Sequence, residues 1–487
     1  MSSGERGVAA PSDRRALIAV DLGAESCRVS LLRWAGEAPR IELVHRFPNH
    51  AVERADGLRW ELERICLGVE EGIAKCARTV AESGAGGVRS IGVDGWAVDY
   101  VRLDGDGRPL ADPYCYRDGR TVEAERALHE AISPRRLREL TGVQPQRINT
   151  LYQQHADLLG GEDAGAGWLN LPEYLLSRWG GRAVAERTNA AHTQMVDIRT
   201  GAWCEEILAA ARLDARRMPR LVEPGADLGR LRGPLAELPG MGETRLLAPC
   251  CHDTASAVAG IPARGEDWGY ISSGTWSLVG TPLDAPCMAE EGLSGGFTNL
   301  AGAGGRVCFH KSLNGMWLIR QCMESWAAEG RGWEIGDLIA AARGVAGFRP
   351  TELIAVDDPE LLQPGRMPQR IQEQRARRGL AALSTAAEDA PAMARLIFRS
   401  LAWRYAVVFE QVASLTGKRL RRVHVVGGGS RNEFLNELTA EAAGMEVCRG
   451  SAESSTVGNF ATQLSALEGR PGAERIAFWA GRLSPGV

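Results

Sequence analysis

The chain has 487 residues, 44% of them hydrophobic, which allows about two to four domains with sizeable cores. Its formal net charge of -4, with no long Lys/Arg run, excludes a surface built to neutralise nucleic-acid phosphates. Eleven scattered cysteines form no Cys-x-x-Cys and eight histidines no His-Glu-x-x-His, so no zinc or disulfide framework is legible and a reduced cytoplasm is expected.

Residues 1–15 are polar and Gly/Ser/Arg-rich and read as a loose tail without an apolar signal-like run. Leu17-Ile18-Ala19-Val20 is a buried-strand pattern that runs into Asp21-Leu22-Gly23-Ala24-Glu25-Ser26-Cys27-Arg28. Further strands at 29–34 and 41–47 make an antiparallel meander. The small polar turn after the first strand lets backbone N–H groups approach an anion. A plain hairpin accounts for it equally. Residues 61–81 read as an amphipathic helix carrying Leu62, Ile65, Leu67, Val69 and Ile73. A fourth strand, 88–93, ends at Asp94-Gly95-Trp96-Ala97-Val98-Asp99-Tyr100, and Asp104-Gly105-Asp106-Gly107 is a turn. A meander followed by a helix and a strand makes the class mixed α/β. Asp94 and Asp99 fit either an acidic pair in a site or a capping and a solvated carboxylate. Tyr116-Arg117-Asp118-Gly119-Arg120-Thr121 suits paired hydrogen bonds to a polyol, or an ion pair beside a helix start.

Residues 133–140 are helical in pattern, 160–167 form a Gly-rich acidic loop, and 169–179 are apolar and helix-length. His192, in Thr188-Asn189-Ala190-Ala191-His192-Thr193-Gln194, fits a satisfied structural histidine better than a ligand. Residues 219–238 look like connecting structure. The densest stretch is 245–280. There Asp253 opens an Ala-rich helix pattern, and Tyr270-Ile271-Ser272-Ser273-Gly274-Thr275-Trp276-Ser277 follows. A carboxylate base beside a substrate and a Ser/Gly/Thr turn beside phosphates suit phosphoryl transfer. A helix-capping Asp and an ordinary hairpin explain the same residues. Strands restart at 269–280, which places a domain boundary near residue 260.

Lys311-Ser312-Leu313-Asn314-Gly315 leads into a helix at 316–328, and 357–367 is a polar, Pro-rich loop. The clearest helix is 392–415, with Leu401, Tyr405, Val408, Val412 and Leu415 on one face and Gly417 as its stop. A strand at 422–426 runs into Gly427-Gly428-Gly429-Ser430-Arg431-Asn432 and a helix at 433–443. Three glycines exceed what a tight turn needs and let a flat ligand or phosphate lie on bare backbone at a helix start. A last helix pattern, 454–467, holds Gly458, suited to close packing or close ligand approach. No Walker motif, His-Arg-Asp kinase loop or Gly-x-Ser-x-Gly elbow occurs. No run of ~18 apolar residues offers a membrane span.

Seven stretches carry a resemblance. They are Ala19-Val20-Asp21-Leu22-Gly23-Ala24, Ile91-Gly92-Val93-Asp94-Gly95-Trp96, Tyr116-Arg117-Asp118, Thr188-Asn189-Ala190, His252-Asp253-Thr254-Ala255-Ser256-Ala257-Val258, Ser272-Ser273-Gly274-Thr275-Trp276-Ser277-Leu278 and Val425-Val426-Gly427-Gly428-Gly429. In this order, over residues 16–470, the chain resembles the FGGY carbohydrate kinases of the actin-like ATPase superfamily, in their ketose-1-kinase branch. The resemblance implies two actin-like (ribonuclease H-like) α/β domains, 16–260 and 261–487, with nucleotide and sugar in the cleft between them. It implies ATP and Mg²⁺ as cofactors, and transfer to O1 of a ketose, with L-rhamnulose first and L-fuculose next. Asp253 would be the catalytic base. Ala97, His252, Thr254 and Ser312 would line the sugar with it. Ala24, Glu25, Ser26, Cys27 and Arg28, then Gly274 and Thr275, would face the phosphates. Gly428 and Asn432 would lie at the adenosine and Asp21 near the metal. The resemblance further implies a cytoplasmic monomer or homodimer that binds no nucleic acid or membrane. Three positions depart from the family pattern: Cys27 and Ala97 replace glycines, and Ser312 stands where Asn is common. Cys27 keeps open a second reading, a catalytically weak sugar- or nucleotide-binding regulator.

Overall fold

The run at the start of the fold is β1 (Ala16–Leu22), apolar except for Asp21 and buried along its whole length, as a central strand covered on both faces requires. It pairs antiparallel with β2 (Ser26–Ala35), and β2 with β3 (Ala38–Pro48). The helix α1 (Leu62–Ser83) follows, and β4 (Val88–Gly95) returns parallel to β1. With β5 (Ala226–Arg230) and β6 (Arg245–Ala248) the sheet has the order β5-β6-β4-β1-β2-β3. Residues 13–84, 86–162 and 167–484 are described by this computed structural model. Most of the 1–15 tail and the centre of the 160–167 loop lie outside them.

The same path recurs after α2 (Asp253–Ala259). β7 (Trp268–Ser273) and β8 (Trp276–Leu283) form an antiparallel hairpin, preceding β9 (Phe297–Ala301) and β10 (Val307–Asn314). Two long helices, α3 (Trp317–Ala328) and α4 (Ala390–Thr416), precede β11 (Arg422–Val426), which lies parallel to β7. After α5 (Glu433–Ala443) comes β12 (Glu446–Arg449), giving the order β9-β10-β8-β7-β11-β12. An antiparallel hairpin whose first strand also pairs with the parallel return strand is thus built twice, and in the second sheet β8 pairs with β10 instead of with β9.

Each sheet buries one face under its own helices. α1 contributes Leu62, Ile65, Val69, Ile73 and Val80 to the first core, a helical stripe in which each fully buried aliphatic contributes roughly 1.5–3 kcal/mol. α4 does the same for the second, with Leu401, Tyr405, Val408 and Val412, and stops at Gly417, whose φ of 70° is the left-handed cap glycine tolerates. The opposite face of the first sheet is covered from the far end of the chain. Val457, Phe460 and Leu464 of α6 (Ser454–Leu467) and Trp479 of α7 (Ala473–Leu483) pack on Leu17, Ala19 and Leu32. Gly458 serves that packing rather than a ligand, because a Cβ there would overlap the Ser256 carbonyl oxygen of α2. The two halves meet where Tyr270, Leu300, Cys308 and Val426 touch Val143, Ala191, Ala257 and Val258.

Two sequence expectations change. The 169–179 helix starts as a strand: Gly167–Asn170 pairs with Tyr100–Leu103, and the helix is Leu171–Arg178 with proline in its first turn. Residues 219–238 are more than connection, since β5 is the sheet edge and Arg220–Val222 pairs with Val184–Glu186. Short runs broken by glycine and proline carry too little period to be recognised as strands alone. Among the described residues no helix is long and apolar enough to cross a membrane.

Candidate active site

β1 and β4 are parallel neighbours, and their register sets Asp21 beside Asp94 at the carboxyl ends, where open α/β sheets bind ligands. Asp21 Oδ2 accepts from Arg28 Nη1 at 3.1 Å and from Ser455 Oγ at 2.7 Å. Asp94 is fully buried; its Oδ2 accepts from Asn459 Nδ2 at 2.5 Å and its Oδ1 has no protein partner. Burial, and after it the Asp21 charge, holds the Asp94 carboxyl well above the usual range. Both acids are therefore tied to α6, over 360 residues away in sequence.

Asp253 stands in the first turn of α2, and the helix cap is His252, without a side-chain capping bond. The capping account of Asp253 thus fails, and its carboxylate is free of that duty. Its segment is fixed by the first sheet: Gly95 N donates to Cys251 O at 3.0 Å. The buried Glu186 accepts Cys251 N at 2.8 Å, and His252 N donates to Thr188 Oγ1 at 3.3 Å. Glu186, pushed up to about 8 chiefly by burial, was missed in the sequence. Its only signal was the neighbouring Thr188-Asn189-Ala190. Thr254 Oγ1 donates to Asp253 Oδ1 at 3.2 Å, and His252 Nε2 lies 3.5 Å from the same oxygen. Although 38% of the Asp253 side chain stays accessible, burial and then the Asp21 charge push its carboxyl up to about 7.

The histidines here are neutral. The rings of His192 and His252 contact each other at a tilt of 49°, with centroids 4.8 Å apart. Burial brings His192 down to about 4 and His310 to about 3, and holds His252 well below its usual value. Buried Nδ1 atoms of His192 and His252 have no protein partner. Ser312 is exposed on β10, two residues from His310 and so on the same face. Ala97 is buried in the loop after β4. Asp99 is not the solvated carboxylate or the partner of Asp94 considered from sequence, but a buried acceptor for indole N–H groups. In the 116–121 stretch Arg120, directly before the helix Thr121–Ala131, pairs with Asp157 as an ion pair beside a helix start, though a largely buried one, and Asp118 accepts from Leu58 N at 2.7 Å.

The turn at residues 23–25 faces the second half of the chain. Glu25 meets Arg320 of α3 at 2.9 Å, and Arg28 Nε lies 3.5 Å from Glu453. Cys27 does not obstruct this turn. Strand alternation sends its side chain into the first core, fully buried, and burial pushes the thiol up to about 12. Cys27→Ala is therefore expected to lower stability by about 1 kcal/mol, a small core deletion, with ATP affinity unchanged. Urea unfolding and nucleotide titration check this, and a gain in ATP affinity would contradict it.

On the second sheet, Gly274 O accepts Met316 N at 3.0 Å and Thr275 O accepts Trp317 N at 3.1 Å, tying the β7–β8 turn to the start of α3. The three glycines after β11 divide by role. Gly427 has φ 82°, and a Cβ on Gly429 would overlap Ser273 Oγ, so the protein itself requires both. A Cβ on the exposed Gly428 would meet nothing within 4 Å. That glycine leaves room for something other than protein. Asn432 caps α5 by accepting Leu435 N at 3.0 Å, while its buried Nδ2 has no partner.

The structure thus gathers Asp21, Arg28, Asp94, His252, Asp253 and Thr254 at one sheet end, and Gly274, Thr275 and Gly428 at the other. A carboxylate base held at about 7, with 38% of its side chain accessible, suits proton removal from a hydroxyl.

Comparisons with known proteins bear on this arrangement. Residues 16–260 match the model of the N-terminal domain of the FGGY family of carbohydrate kinases, and residues 269–467 that of its C-terminal domain. A rhamnulokinase of Enterococcus faecalis is 35% identical over 465 residues, 93% of this chain and 90% of its own. One from Bacteroides thetaiotaomicron is 35% identical over 451 residues, covering 91% and 89%. Among solved structures, a ligand-bound xylulose kinase from Lactobacillus acidophilus superimposes with a TM-score of 0.78 at 15% identity, over 96% of this chain and 92% of its own. Plasmodium falciparum glycerol kinase with ADP gives 0.74 at 13%, over 97% and 93%.

Proposed function

The chain belongs to the FGGY family of carbohydrate kinases, and we propose that it transfers the γ-phosphoryl group of ATP to O1 of a ketose, with L-rhamnulose as substrate. The observation that carries this reading is Asp253: one carboxylate, free of capping, raised to about 7. Similarity to curated rhamnulokinases over nine-tenths of both chains supports the choice of ketose.

Asp253 accepts the O1 proton as that oxygen attacks the γ-phosphorus and the bond to the ADP oxygen breaks. Such a transition state needs alignment and charge neutralisation more than covalent help. Neutral His252, with Thr254, orients the sugar hydroxyls, and Ala97 and Ser312 complete the pocket wall. The backbone of residues 24–28 and the Arg28 side chain, with Gly274 and Thr275, hold the phosphates, and Arg28 turns from Asp21 toward them. Gly428 and Asn432 lie against the adenosine. The orphaned Asp94 Oδ1 beside Asp21 fits a hydrated Mg²⁺ held mainly by Asp21, which when bound offsets phosphate charge. Of the units 16–260 and 261–487, the first carries Asp253, most of the sugar wall and the 24–28 phosphate turn, and the second carries Ser312 and the adenosine side, while its α6 and α7 pack on the first sheet.

A coupled ADP-release screen over ketoses with Mg-ATP tests this. L-Rhamnulose should give the highest kcat/KM, and the phosphorus spectrum of the product should show a primary phosphate ester at C1. Another ketose ranking first would move the substrate. Binding of sugar and ATP without ADP release would replace the kinase reading with a binding protein.

A further inference from the structure

Val98 has φ 73°, in the left-handed region, where a β-branched residue stays only if its surroundings hold it. The surroundings are visible. Its carbonyl accepts from Thr150 Oγ1 at 2.8 Å and from Gln153 Nε2 at 3.2 Å. The next residue, Asp99, is fully buried. Its Oδ2 accepts from Trp60 Nε1 at 2.6 Å, Trp96 Nε1 at 2.9 Å and Tyr116 N at 3.3 Å. Its Oδ1 accepts from Gln153 Nε2 at 3.0 Å. Gln153 therefore joins the carboxylate to the strained carbonyl.

Every one of those donors is neutral, and none of the ion pairs among the described residues includes Asp99. A buried charge without a counter-ion is unfavourable compared with an apolar side chain. Burial accordingly pushes the Asp99 carboxyl up to about 6. The arrangement also demands an acceptor on both oxygens. A carboxamide would turn an N–H toward Gln153 or toward the two indoles. The rings of Trp60 and Trp96, tilted by 47° with centroids 4.7 Å apart, are thus oriented by one oxygen, and Trp96 adjoins Ala97.

We propose that Asp99 is a positioning residue for the ketose site: it clamps the indole of Trp96 and, through Gln153, holds residues 96–98 in the strained shape that sets the Ala97 wall of the pocket. This rests on the assignment of Ala97 to that pocket. Asp99 touches no substrate and acts through its neighbours.

The test combines steady-state kinetics with hydrogen exchange at residues 96–100 in Asp99→Asn, Thr150→Val and Asp99→Asn/Val98→Gly. Asp99→Asn should raise the ketose KM roughly 10–100-fold, the effect of a small misplacement at a binding wall, with the ATP KM unchanged and exchange at 96–100 accelerated. Thr150→Val removes a single hydrogen bond to the Val98 carbonyl and should raise the ketose KM about 2–10-fold. It also carries the test if Asp99→Asn does not fold. Glycine enters φ > 0 freely, so adding Val98→Gly should recover much of the lost ketose affinity. A ketose KM unchanged in folded variants, or rising together with the ATP KM, would overturn the proposal, as would absence of rescue. If the wild-type protein phosphorylates no ketose, the substrate reading fails by itself. The clamp is then decided by exchange, and unchanged protection at 96–100 in the folded variants would overturn it.

Discussion

Asp253→Asn is expected to lower turnover by roughly 10²–10⁴-fold, the usual contribution of a general base. Asn keeps the size and the bond from Thr254 but has no site for the O1 proton. ATP affinity should stay near wild type, because the phosphate-facing turns do not include Asp253. The pH behaviour follows from the same group. The wild-type carboxyl loses its proton at about 7, so kcat/KM should climb with pH and level off above that value, and the variant should lack this limb. Stability moves the opposite way. The folded pKa lies above the ordinary 3.8, so between about pH 4 and 7 the folded state keeps a proton that the unfolded chain has lost. Stability contributed by this group therefore falls as pH rises through that window, and the penalty is complete above it. The Asn variant carries no such penalty, and at pH 8 its Tm should equal or exceed that of wild type. A lowered Tm with normal turnover per folded molecule would make Asp253 structural.

Gly428→Val is expected to weaken ATP by about 1–3 kcal/mol, ~5–150-fold in Kd, the range for forcing extra methyl groups into an occupied space. The unliganded protein should be unaffected, since a Cβ at Gly428 meets nothing within 4 Å. Ketose binding, on the first sheet, should be retained. Calorimetric titration with ATP and separately with ketose distinguishes the outcomes. Unchanged ATP affinity would remove Gly428 from the nucleotide site. Gly427→Ala and Gly429→Ala make the contrast, because those glycines are required by a φ of 82° and by contact with Ser273, and should lower stability.

The sequence by itself determined whatever is written in local period and punctuation. Strand Arg422–Val426 and helices Glu433–Ala443 and Ser454–Leu467 agree with their expected bounds to the residue, because a glycine follows the first two directly and the third one residue later. The strand–turn–strand opening and its restart at residues 269–280 were legible for the same reason, in two apolar runs each followed by a small polar turn. The tertiary structure decided what depends on partners distant in the chain. Cys27, read as a departure at a phosphate turn, points into the core because strand parity is set against α1. Asp99, with the composition of a surface turn, is buried because Trp60 and Gln153 converge on it from 39 and 54 residues away. Glu186 and α6 were invisible as parts of the site, since nothing in their own windows shows which backbone N–H or carboxylate they will meet. A side chain's neighbours along the chain set its conformation, but its pKa and its duty come from the groups that folding brings to it.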